Sequence, residues 1–61
     1  MNLSVNVGDI FNDICTDEVV EVISQNMDLV RVKTPGITYW AKKVLVQNWI
    51  EAGQFKRKES E

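Results

Sequence analysis

The chain has 61 residues, nine acidic and seven basic, for a net charge of −2; it holds one cysteine and no histidine. That length allows one small domain, which removes about 60% of its unfolded surface from water. An internal disulfide, a Cys/His zinc site and a nucleophile activated by histidine are all excluded, which leaves tight packing or self-association into a homo-oligomer as the sources of stability.

The opening "MNLSVNVGDI" has no basic flank and no long apolar run, so neither a secretion signal nor a membrane span is expected. In "VGDIFND", a turn-compatible Gly8-Asp9 adjoins Val7, Ile10 and Phe11, which predicts a short first strand ending in a polar loop at Asn12 and Asp13. Cys15 follows in "NDICTDE". Its acidic neighbours oppose thiolate formation, so it reads as a small unreactive residue, and the lack of a disulfide fits a cytoplasmic setting.

"DEVVEVIS" and "DLVRVKT" are rich in β-branched residues, and "QNMD" between them is turn material, so a β-hairpin is predicted. Setting Val22 opposite Val30 also sets Val20 opposite Val32 on the core face. The same register places Glu21 opposite Arg31 on the other face. In "TPGI", Pro35 and Gly36 suit a type II turn, whose backbone fits a two-residue hairpin poorly; a longer or bulged loop is therefore expected. In the strand "GITYWA", Ile37, Tyr39 and Ala41 share one face, and Thr38 and Trp40 the other. The need for apolar core residues assigns Tyr39 inward and Trp40 outward, beside Arg31.

From Lys43 the period changes. Leu45 and Trp49 are four apart, as are Val46 and Ile50, which predicts a helix of one to two and a half turns closed by Gly53. No good N-cap precedes it, and Lys42 and Lys43 oppose its dipole. Phe55 anchors a last short strand. The predicted fold is thus mainly β: an antiparallel barrel of about five strands with one short C-terminal helix, a single domain over residues 1–57 and a frayed tail over 58–61. The expected core is Val7, Ile10, Val20, Val22, Val30, Val32, Leu45, Trp49 and Phe55.

The "VGDIF"-type opening, the bent antiparallel strands in order and the short helix before the last strand resemble the small Src-homology-3-like barrels. Within that class the chain is similar, over residues 5–57, to short accessory proteins of bacteriophages and prophages. The aromatic and acidic loop pattern of proline-peptide-binding members is missing, so the resemblance assigns no functional residues. A second likeness joins "NWIEAGQFKRK" to the end of the recognition helix and start of the wing in excisionase-like proteins. There a helix-turn-helix precedes the tryptophan, whereas here "ITYWAKKVLVQ" reads as strand and then apolar helix.

Charge divides the chain. Residues 1–30 carry −6 and no base, while residues 31–61 carry +4. Opposite charges therefore meet either across neighbouring strands or between molecules. Asp9, Asp13 and Asp17 recur every four residues without matching a calcium loop, and no phosphate-binding glycine loop is present. The reading is a non-enzymatic binding module with no cofactor, no metal and no membrane. Its predicted binding residues are Arg31, Lys33, Trp40, Lys42 and Lys43. The favoured partner is a protein, which a phage-type accessory protein would modulate; the alternative is nucleic acid, with the basic second half on phosphates and Trp40 or Tyr39 stacked on a base.

Overall fold

The computed structural model describes residues 3–58. Its elements are β1 (Ile10–Asp13), β2 (Glu18–Asn26), β3 (Leu29–Lys33), β4 (Thr38–Lys42), α1 (Lys43–Glu51) and β5 (Phe55–Arg57). The strands form one antiparallel sheet in the order β4-β3-β2-β1-β5. Strands consecutive in sequence are neighbours from β1 to β4, and β5 returns to the free side of β1, with α1 linking the two edge strands. This is the arrangement of a small Src-homology-3-like barrel. Of the expected tail, residues 59–61 lie outside the described residues; the Lys58 N–H donates to the Ile10 carbonyl at 2.8 Å.

The core consists of Val5, Phe11, Val20, Val22, Val30, Val32, Ala41, Val46, Ile50 and Phe55, with Leu3, Tyr39 and Trp49 packed at its margin. Val20 and Val22 of β2, Val30 and Val32 of β3, and Phe55 are buried as expected. Val7, Ile10 and Leu45, expected inside, are exposed. Ile10 shares the outer face of β1 with Asn12, and Phe11 takes the inner position. Val7 stands in a turn where the Asp9 N–H donates to the Asn6 carbonyl at 3.1 Å. Gly8 has φ 98° there, and its N–H donates to the Val22 carbonyl at 2.8 Å. The N-terminal segment therefore reaches the core through Val5, two residues earlier than expected.

The β2–β3 hairpin differs from its expected register. Its turn is tighter: Asn26 pairs with Leu29 around Met27 and Asp28, and Met27 has φ 55°. Val22 faces Val32 rather than Val30, and Glu21 faces Lys33 rather than Arg31. A bulge at Ile23 separates the Val22–Val32 pair from Ser24–Arg31. Carried on without that extra residue, the register of the turn would set Val22 opposite Lys33, on the wrong face. The bulge restores parity, so the valines stay inside although their partners change.

The β3–β4 connection is shorter than expected, a two-residue loop of Pro35 and Gly36. The Thr34 N–H donates to the Ile37 carbonyl at 2.8 Å. The Thr34 hydroxyl donates to the same carbonyl at 2.9 Å and accepts the Ile37 N–H at 3.2 Å. Gly36 does not take a positive φ, so the turn is not type II.

Helix α1 follows β4 directly, with Lys42 at the N-cap position and no side-chain cap. Its nine residues make about two and a half turns. Val46 and Ile50 face the core, so of the two pairs at helical spacing it is this one, rather than Leu45 and Trp49, that is fully buried. The helix ends in a Schellman motif. The Gly53 N–H donates to the Ile50 carbonyl (3.1 Å) and the Gln54 N–H to the Trp49 carbonyl (2.9 Å), with Gly53 at φ 84°. Trp49 then packs on Phe55 at 4.9 Å between ring centroids.

Candidate functional site

In β4 the alternation runs Thr38 out, Tyr39 in, Trp40 out, Ala41 in and Lys42 out. Register places Trp40 opposite Arg31, Lys42 opposite Leu29 and Thr38 opposite Lys33. The outer face of β3 and β4 thus gathers Arg31, Lys33, Trp40 and Lys42, with no acidic residue on either strand. Lys43 begins α1, half-buried, and leaves that face; its N–H donates to the Asp28 carbonyl at 2.7 Å.

Trp40 is 46% exposed. The Arg31 guanidinium carbon lies 6.0 Å from its ring centroid, at the outer limit of a cation–π contact. The hydrogen-bonding pattern explains the closeness. Thr34 and Ile37 form a bonded pair, so by alternation Arg31 and Trp40 form a non-bonded pair, whose side chains approach more closely. Arg31, Lys33, Lys42 and Lys43 form no ion pair with another described residue. Glu21 sits across from Lys33 without forming one, and the expected Glu21–Arg31 pairing does not occur.

Apolar side chains continue this face beyond β3. Val19, Ile23 and Ile10 are all exposed on β2 and β1. Val19, Glu21, Lys33, Thr34 and Pro35 line a shallow recess of about 200 Å³. Sequence reasoning placed Ile10 in the core and gave Val19 and Ile23 no role. The signal was available: in "EVVEVI" apolar residues occupy both parities, so β2 had to carry some of them outward.

Two acids outside this face make contacts that hold the fold. Asp9 accepts from Arg57 at 3.0 Å and from the Asn6 N–H at 2.9 Å. Asp13 accepts the Cys15 N–H at 2.9 Å, closing an Asx turn that leaves Cys15 exposed. Asp9 thus stands in the turn before β1, while Asp13 and Asp17 flank the β1–β2 turn, where the Asp17 N–H donates to the Asp13 carbonyl at 2.7 Å; among the described residues no three acids or cysteines gather in metal-binding geometry. Tyr39, facing inward behind Trp40, has its hydroxyl pKa raised by burial and then by the negative charge of Asp13. Among the described residues no helix is long and apolar enough to cross a membrane.

Compared with known proteins, the chain matches no family model, no curated protein and no solved structure.

Proposed function

We propose that the chain is a non-enzymatic binding module that docks a protein partner on the outer face of β3 and β4, with Trp40 as the anchor. The observation that carries this reading is a large ring, half-exposed on a regular strand and flanked by Arg31, Lys33 and Lys42. Tryptophan and arginine supply much of the energy of protein interfaces, the ring by burying a large rigid area and the guanidinium by its fork of hydrogen-bond donors. Val19, Ile10 and Ile23 extend the anchor into a patch of mixed apolar and charged character. The role that fits is that of a phage-type cytoplasmic accessory protein, which modulates a host or phage protein by occupying its surface.

The cationic frame is short for a nucleic acid. Glu21 lies opposite Lys33 on the neighbouring strand, and Asp28, whose carbonyl accepts the Lys43 N–H, adjoins the start of β3. A polyanion running past the two strands meets these carboxylates, and the sequence pI near 5.0 points the same way.

The test compares the native chain with Trp40→Ala in affinity capture from a bacterial lysate, with and without nuclease. Trp40→Ala is expected to stay folded while losing about 1–2 kcal/mol, since the ring is about half buried and its cation–π contact is worth about 1 kcal/mol or less. A protein that is captured despite nuclease and lost with Trp40→Ala supports the reading. Capture that is indifferent to Trp40, or abolished by nuclease, overturns it.

A further inference from the structure

We infer that the free edge of β4 accepts an extended acidic segment of a partner protein as a sixth strand. This rests on the proposed docking face and names how the partner is held. The bonded pairs of the β3–β4 ladder are fixed from both ends. The Thr34 N–H donates to the Ile37 carbonyl, and the Lys43 N–H donates to the Asp28 carbonyl. Alternation between these ends makes Val32–Tyr39 and Val30–Ala41 the bonded pairs. The N–H and C=O groups of Thr38 and Trp40, and the N–H of Lys42, therefore point away from β3. The sheet ends at β4, and among the described residues none of these groups has another partner. Backbone groups left unpaired in a fold are almost always in contact with water, and Thr38 and Trp40 are indeed both exposed. From Thr38 to Lys42 the edge spans roughly 14 Å, enough for about five partner residues.

Edge polarity and face chemistry coincide on the same residues. Thr38, Trp40 and Lys42, which offer the backbone groups, also send their side chains to the outer face, where Arg31 and Lys33 stand behind them. A strand added here sets every second side chain beside Trp40, Lys42 and the β3 cations. That position suits carboxylates alternating with apolar side chains. The same charge discourages a second copy of the chain. An antiparallel β4–β4 pairing about Trp40 would bring Arg31, Lys33 and Lys42 of one copy toward those of the other, and lysine on an edge is a common means of blocking such self-pairing. The edge therefore selects an acidic strand over itself.

The experiment selects random nine-residue displayed peptides on the immobilised intact chain, then measures an enriched peptide against Thr38→Pro, Thr38→Ala and Trp40→Ala. Proline at an edge position whose N–H faces outward removes one ladder donor with little damage to the sheet; the alanine variant keeps the donor. The expected pool is rich in Asp and Glu alternating with β-branched or aromatic residues. Its binding should weaken by about tenfold or more in Thr38→Pro and persist in Thr38→Ala. Amide exchange at Thr38 and Trp40 of the native chain should slow when the peptide binds, and this decides the matter if Thr38→Pro does not fold. An enriched peptide lost with Trp40→Ala but unaffected by Thr38→Pro, with no slowing of exchange, overturns strand addition and leaves the docking face standing. A pool without acidic bias, or no enrichment, also overturns the inference. Indifference to both Thr38→Pro and Trp40→Ala overturns the docking face as well.

Discussion

Replacing Arg57 with methionine keeps most of the apolar stem and removes the guanidinium. In the native fold that group lies 3.0 Å from the Asp9 carboxylate, donates to the Ser4 carbonyl at 2.8 Å, and stands 4.9 Å from the centroid of Phe11. Both ends of the ion pair are about a quarter to a third exposed, so solvent screening limits it to roughly 0.5–1 kcal/mol. The hydrogen bond from a charged donor adds about 1 kcal/mol or more, and the contact with the Phe11 face about 0.5–1 kcal/mol. Together they predict a loss of about 2–3 kcal/mol. A domain of this size has roughly 3–9 kcal/mol in all, and each kcal/mol moves its midpoint by about 4–8 °C. Thermal and urea unfolding followed by circular dichroism should therefore show a fall of roughly 10–20 °C. Lys56→Met is the control, because Lys56 pairs with Asn12 on the outer face and forms no ion pair with a described residue; it should change stability by no more than about 0.5 kcal/mol. If the two variants melt together, Arg57 does not fasten the N-terminal segment to β5 and the reasoning fails.

Val46→Ala should destabilise by about 2 kcal/mol, because Val46 is 0% exposed, whereas Leu45→Ala, at 41% exposure, should lose less than about 1 kcal/mol; urea midpoints of the two variants check the assignment of the buried helix face. Gly53→Ala should lose about 1–2 kcal/mol through the left-handed backbone alone, since an added Cβ meets no atom within 4 Å; a melting curve matching the parent would contradict the φ of 84°. Tyr39 is the single tyrosine, so its ionisation can be followed by absorbance. Its pKa lies above the ordinary 10.0, so the folded state holds the phenolic proton more tightly than the unfolded chain does. That stabilisation is fully present below the unfolded pKa and is lost as pH rises through the folded one. Stability should therefore decline in the alkaline range above pH 10, Tyr39→Phe should remove this decline, and Asp13→Asn should move the titration back toward the ordinary value.

The elements were legible in the sequence because each carries a local signature. β-branched alternation marks β2 and β3, four-residue spacing marks α1, and Gly53 marks its end. Which face each presents was legible where β-branched residues share one parity, as Val30 and Val32 do in β3, or where an apolar partner surface decided between two parities, as for Tyr39 and Trp40. It was not legible in β1, where Ile10 and Phe11 are adjacent and either could have been the inner one. Nor was it legible in α1, where both Leu45–Trp49 and Val46–Ile50 have helical spacing and only packing against the assembled core chooses between them. The Ile23 bulge has no sequence signature of its own. It arises because a two-residue turn at Met27–Asp28 and four inward valines cannot both hold in an unbroken ladder. The outward position of Trp40 survived that error because β3–β4 pairing is set by the Pro35-Gly36 loop, independently of the β2–β3 register. The edge donors on β4 lay beyond sequence reasoning, since they depend on which strand ends the sheet.

The pairing of β1 with β5 joins residues 11–13 to 55–57, and the bond from Arg57 to Ser4 spans 53 positions. Every other strand pairing joins neighbours along the chain. During synthesis, the meander from β1 to β4 is available as soon as Lys42 has emerged, but one side of β1 remains open, and Phe11 lacks the ring of Phe55 that lies 6.0 Å away in the finished barrel. At roughly 5–20 residues per second, the stretch from Lys43 to Lys58 takes on the order of one to three seconds to follow. For that interval the nascent chain presents an unpaired strand and a bare aromatic surface. This is the stage at which a folding helper, a protease or a neighbouring nascent copy would find it most accessible.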